Sequence, residues 1–222
     1  MRLTVKAIAL VLLMMGAALT ASAGSIPLTI VNGGNIADGG VYVGPYNFTS
    51  NGQSLQLICD TFENEVYPPE SWTANMTTVS NLTGTMFGPG ASTQYLEAAW
   101  LAQQMFANLS NTQAVKDIQW AIWDLFDTPC SGGKGVSNCD PYGTPSDPNG
   151  IAGWLSAAAA NYAGGNYSNV VIYTPASGWP NYPNDVPQEY IGLTSTPEPG
   201  SMMLLGTGLL SLVTLRRRRS SV

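Results

Sequence analysis

The two ends of this chain constrain its fold first, because each reads as a processing segment that a folded domain would not keep. At the C-terminal end, Pro197-Glu198-Pro199-Gly200 precedes an apolar run over residues 202–213, and Arg216, Arg217, Arg218 and Arg219 follow it. As a helix, residues 201–215 would reach only about 22 Å, against roughly 30 Å of hydrocarbon in a bilayer. Such a span is marginal as a permanent anchor, and the arginines beyond it would hold the C-terminus on the cytoplasmic side. At the other end, Arg2 and Lys6 flank the start, residues 7–19 are apolar, and Ala21-Ser22-Ala23 is a small-residue cleavage site. That pattern is expected of a secretory signal peptide cut after Ala23. The expected organisation is therefore residues 1–23 as signal peptide, 24–194 as an exported domain and 195–222 as a C-terminal sorting segment.

The proline motif, the short span and the arginine tail, in that order, resemble the sorting signal of PEP-CTERM surface proteins of bacteria. The resemblance implies an exosortase, a membrane transpeptidase, that cuts near Pro197-Glu198-Pro199. The chain would cross the inner membrane, be held there transiently by the C-terminal helix, and end at the cell surface or in the extracellular matrix. Its implied partners are the exosortase and the secretion machinery. A plain C-terminal anchor is the alternative, but it has no need of the proline motif.

Export gives the composition its meaning. Of the 8 basic residues, only Lys116 and Lys134 lie outside the two terminal signals, so the exported domain is strongly acidic. This argues against nucleic acid or an anionic lipid surface as a partner. The chain has no histidine. Ser-His-Asp and Cys-His nucleophiles and His-ligated metal sites are thereby excluded, and neither metal nor cofactor is expected. Carboxylates cluster at Asp60, Glu63 and Glu65 and at Asp117, Asp124 and Asp127. In so acidic a chain such clusters arise without a catalytic cause, and no enzyme activity is expected.

The 3 cysteines are an odd number for an oxidising compartment. Cys130 and Cys139 share a Gly/Ser-rich loop, and a disulfide between them is expected to close it. Cys59 is left over, to be either a buried thiol or a reactive one.

Residues 26–31, 41–46 and 55–62 read as short strands between Asn-Gly-Gly, Asp-Gly-Gly and Ser-Asn-Gly turns, with 71–87 as strand or loop. Helical patterns follow at 92–107, with a Ser or Thr cap, at 111–126 and at 150–162. Strands return at 170–173 and 190–193. The expected class is α+β: a β-sandwich or barrel-like framework with an inserted helical subdomain of about three helices.

In the second helix, Val115, Ile118, Ile122, Trp123 and Phe126 form an apolar stripe, with Lys116, Asp117 and Asp124 on the expected wet side. Gln119 falls inside the stripe, where its amide must be hydrogen-bonded or cost roughly 1–3 kcal/mol. Along the strand, Leu55, Leu57 and Cys59 share one face, which aims the thiol inward. Two readings stay open: a buried cysteine and a satisfied core glutamine, or attack of sulfur on the Gln119 amide to give an internal thioester. Ile58-Cys59-Asp60 together with Gln119-Trp120-Ala121-Ile122-Trp123 resembles the thioester domains of bacterial surface adhesins. That resemblance implies a Cys59–Gln119 cross-link and covalent capture of a nucleophile-bearing surface ligand. Ile58 stands where those domains often carry an aromatic. The competing class is a passive exopolysaccharide-associated structural or sugar-binding module, with Tyr167, Tyr173, Trp179, Tyr182 and Tyr190 as exposed stacking groups.

Overall fold

Apolar and polar residues alternate through the strands at 46–50 and 71–77 of the computed structural model, which describes residues 24–62, 64–126, 147–176 and 186–194. The strands are β1 (Gly24–Asn32), β2 (Ala37–Asp38), β3 (Val41–Tyr42), β4 (Tyr46–Ser50), β5 (Gln53–Cys59), β6 (Ser71–Thr77), β7 (Val170–Pro175) and β8 (Tyr190–Leu193). Six of them close into an antiparallel barrel in the order β1-β4-β5-β8-β7-β6, with β6 returning to β1. Closure leaves the barrel itself no open edge. Strands β2 and β3 form a separate small hairpin.

The register assigns the inner face. Directly opposed pairs Ile30↔Phe48, Phe48↔Leu55, Tyr46↔Leu57, Cys59↔Tyr190 and Leu28↔Trp72 place these side chains on one side of the sheet. Bulky rings fill this narrow lumen. Phe48 meets Tyr190 edge-on at 4.8 Å and Trp72 at 5.7 Å, while Tyr46 packs on Tyr190 at 5.7 Å. The framework is thus a barrel and not a sandwich, because β6 pairs with both β1 and β7 and leaves no gap between two sheets.

Among the described residues, three helices lie between β6 and β7: α1 (Ser92–Ala107), α2 (Thr112–Phe126) and α3 (Pro148–Asn161). Helix α1 is entered from a 3₁₀ turn, Pro89–Ala91, and has no side-chain cap, in contrast to the expected Ser or Thr cap. The turn already carries the chain in helical conformation. Helix α3 starts before the expected position because the Asp147 carboxylate accepts from the Gly150 N–H at 3.0 Å.

Helix α2 packs against both α1 and α3 and touches β5. Its burial is therefore broader than one stripe: every residue from Asp117 to Trp123 is buried. Asp117, assigned to the wet side from the sequence, faces α3 instead. Its carboxylate sits so close to Gly150 that a Cβ there would lie 2.4 Å from Oδ2. Gln113 Nε2 donates to Asp117 Oδ1 at 2.8 Å. Burial raises the Asp117 carboxyl above the ordinary range.

Candidate functional site

Cys59 is the last residue of β5 and Tyr46 the first of β4, so both lie at one end of the barrel, and α2 crosses that end. Gln119 projects from α2 into it and is fully buried, as is Cys59. The Gln119 Nε2 donates to the Cys59 carbonyl oxygen at 2.7 Å. On its other side, the Gly44 N–H donates to Gln119 Oε1 at 3.3 Å. The amide expected from the sequence to need partners has them at both ends. The Cys59 thiol donates to the Thr61 carbonyl at 3.2 Å. The structure therefore brings together the two residues singled out from the sequence, one on a strand and one on a helix.

Gly44 is required for this approach. Its φ of +106° lies where L side chains rarely go, and a Cβ would sit 2.7 Å from Val115 Cγ1. The β2–β3 hairpin continues the cover over α2. Asp38 Oδ2 accepts from Trp120 Nε1 at 3.0 Å, and Asp38 Oδ1 lies 3.5 Å from Lys116 Nζ. Trp120 and Trp123 also pack edge-to-face at 5.1 Å, each against Phe62. The tryptophans of the Gln-Trp-Ala-Ile-Trp segment thus serve to bind the hairpin and the strand end to the helix.

Tyr46 and Tyr190 flank the thiol, and burial pushes both phenols well up, with charge at Cys59 acting in the same direction. A second polar group lies beside them. Glu189, fully buried, accepts from Tyr95 Oη at 2.5 Å, from the Met86 N–H at 2.8 Å and from the Thr174 hydroxyl. Its main chain is tied to Thr61, whose Oγ1 accepts from the Glu189 N–H at 2.7 Å. Gln188 Nε2 donates to the Thr61 carbonyl at 3.2 Å. Sequence reasoning missed Gly44, Thr61, Gln188 and Glu189. Glu189 alone carried a usable signal, as an acid directly before the apolar strand Tyr190–Leu193.

Several expected residues are not part of this site. Tyr167, Tyr173 and Tyr190 are buried, so they offer no exposed stacking face, and Trp179 and Tyr182 lie outside the described residues. Asp60 is fully buried on the strand end beside Cys59, while Glu63 and Asp127 are outside the described residues. Cys130 and Cys139, the signal peptide and residues 195–222 lie outside them as well. Among the described residues, no helix is long and apolar enough to cross a membrane, and no group of acidic or thiol side chains could hold a metal ion.

Residues 195–219 match the PEP-CTERM protein-sorting motif. That match points to an exported, surface-directed chain processed by an exosortase. No curated protein and no solved structure matches. The resemblance of the central domain to adhesin thioester domains finds no support in these comparisons.

Proposed function

We propose that the exported domain is a covalent surface coupler whose electrophile is an internal thioester between Cys59 and Gln119. The observation that carries this reading is the seating of Gln119: fully buried, its Nε2 on the Cys59 carbonyl at 2.7 Å and its Oε1 on the Gly44 N–H at 3.3 Å. A backbone N–H aimed at the amide oxygen would stabilise the oxyanion that forms when sulfur adds to the carbonyl carbon. The Sγ–Cδ bond then forms, the Cδ–Nε2 bond breaks, and the thiol proton leaves with the nitrogen as ammonia. A lysine amine or a hydroxyl on a surface ligand would later attack the same carbonyl, taking the acyl group and releasing the Cys59 thiol. Each molecule reacts once, without turnover, so the protein acts as a coupler and not as an enzyme. The C-terminal sorting motif would deliver it to the surface, where such ligands are met.

The second reading is a passive matrix module without the bond. It is favoured by the same two hydrogen bonds, which give the donor and the acceptor end of an ordinary core amide a partner each. Intact mass of the exported protein under non-reducing conditions separates the two. The thioester gives a mass lower by one ammonia. Methylamine, small enough to reach a buried carbonyl, should then add at Gln119 and expose the Cys59 thiol, and Cys59→Ala or Gln119→Ala should abolish that addition. Full sequence mass, with the buried Cys59 alkylated once the protein is unfolded, would leave the passive module as the function.

A further inference from the structure

Past Cys59 the chain leaves the sheet, so the Thr61 carbonyl that receives the thiol proton is not held by a strand ladder. The Gln188 side chain, from the segment before β8, holds it instead, while the Glu189 N–H holds the same residue through Thr61 Oγ1. Gln188 Nε2 donates to the Thr61 carbonyl at 3.2 Å, and Gln188 Oε1 accepts from Tyr190 Oη at 2.7 Å. Tyr190 is in turn the register partner of Cys59. Thr61, Gln188 and Tyr190 are all buried. The orientation of the Gln188 amide follows from its neighbours: turned over, it would set Oε1 against the Thr61 carbonyl, acceptor against acceptor. The only arrangement that satisfies all three groups is the one observed.

We propose that Gln188 is a positioning residue for thioester formation, holding the Thr61 carbonyl as the acceptor of the Cys59 S–H. With the proton turned to Thr61, a sulfur lone pair is left for the Gln119 carbonyl carbon. Gln188 does not touch the reacting atoms and acts only through Thr61. This inference rests on the thioester reading above.

The test refolds the full-length chain in detergent from an unfolded preparation, so that Gln119 begins as the amide, and follows loss of ammonia by intact mass across a pH series. The wild type should react faster as pH rises through the thiol range. Gln188→Ala should slow the reaction about tenfold while the thiol is protonated, the scale of one buried hydrogen bond, and by less once the thiol ionises. Gln188→Glu should invert the dependence. Protonated at acid pH, its carboxyl donates to Thr61 as the amide did; ionised, it opposes the carbonyl and the reaction slows as pH rises. Circular dichroism of the refolded Gln188→Glu chain across the same pH series must show the fold retained, because ionising a buried carboxyl would otherwise slow the reaction by unfolding alone. Tyr190→Phe, which frees the Gln188 amide to turn, should slow the reaction while keeping the ring. A wild type that never loses ammonia rejects the thioester itself and this inference with it. A wild type that does, with Gln188→Ala and Gln188→Glu matching its rate and pH profile, rejects the inference alone. Should Gln188→Ala fail to refold, the Glu and Phe variants decide on the same criterion.

Discussion

Glu189 ties α1, the loop before it and β7 together, and replacing it by glutamine tests how the barrel and helices are held together. Its carboxylate receives the Tyr95 hydroxyl from α1, the Met86 N–H from the loop before α1 and the Thr174 hydroxyl from β7. Glutamine keeps the shape but offers one acceptor oxygen. Turned toward Met86 and Thr174, its oxygen preserves those two bonds in neutral form. Its NH₂ then faces Tyr95 Oη, which already accepts from the Phe87 N–H at 3.2 Å. Bonds to a charged partner contribute about 1.5–3 kcal/mol and neutral ones about 0.5–1.5. Converting two bonds and disturbing a third should therefore cost Glu189→Gln roughly 2–4 kcal/mol. Urea unfolding followed by circular dichroism would measure it, with m unchanged if the unfolded state is not altered. Tyr95→Phe should cost roughly 1.5–3 kcal/mol by the same count, and the double variant clearly less than the sum, because the two changes remove one shared bond. A Glu189→Gln cost below about 1 kcal/mol, or strict additivity of the pair, would refute the role assigned to this carboxylate.

Asp117→Asn should stabilise the protein at neutral pH. Burial raises this carboxyl in the fold, first by desolvation and further by Asp147 and Asp38. Its relative contribution to stability is therefore greatest below the unfolded carboxylate range and declines as pH rises through the folded value. The gain from asparagine, expected at about 1 kcal/mol, should disappear in acid; equal gains at pH 3 and pH 7 would contradict it. Peptide mapping of the exported protein should find Cys130 linked to Cys139, and a bond from either to Cys59 would exclude both that pairing and the thioester. Protein recovered from the surface of its native host should lack residues 216–219, and an intact arginine tail there would exclude processing near Pro197-Glu198-Pro199.

Local pattern was enough for most of the elements. Alternation and glycine-bearing turns marked β1, β5, β7 and β8, and the helices at 92–107 and 111–126 lie within a residue of α1 and α2. The expected strand 41–46 instead divides into β3 and the first residue of β4, because the chain turns at Gly44, and residues 47–50 of β4 were not expected as strand. Linear motifs marked the C-terminal signal, because a sorting sequence is read as a sequence. Period-2 spacing put Cys59 on the face with Leu57, and period-3.6 spacing put Gln119 among apolar residues, so both members of the site were legible separately. Their meeting was not, since it depends on α2 crossing the barrel end where β4 begins and β5 finishes. Closure of the sheet was equally hidden: β6 pairs with β1 and β7 over long separations, which no local periodicity encodes. Asp117 shows the same limit, for a residue's side of a helix says nothing of a third helix packed against it. Gly44, Thr61, Gln188 and Glu189 lie in turns and irregular segments, where side-chain identity has no period to read. Only the closed barrel and the helix laid across it decide that these four converge on one thiol and one amide.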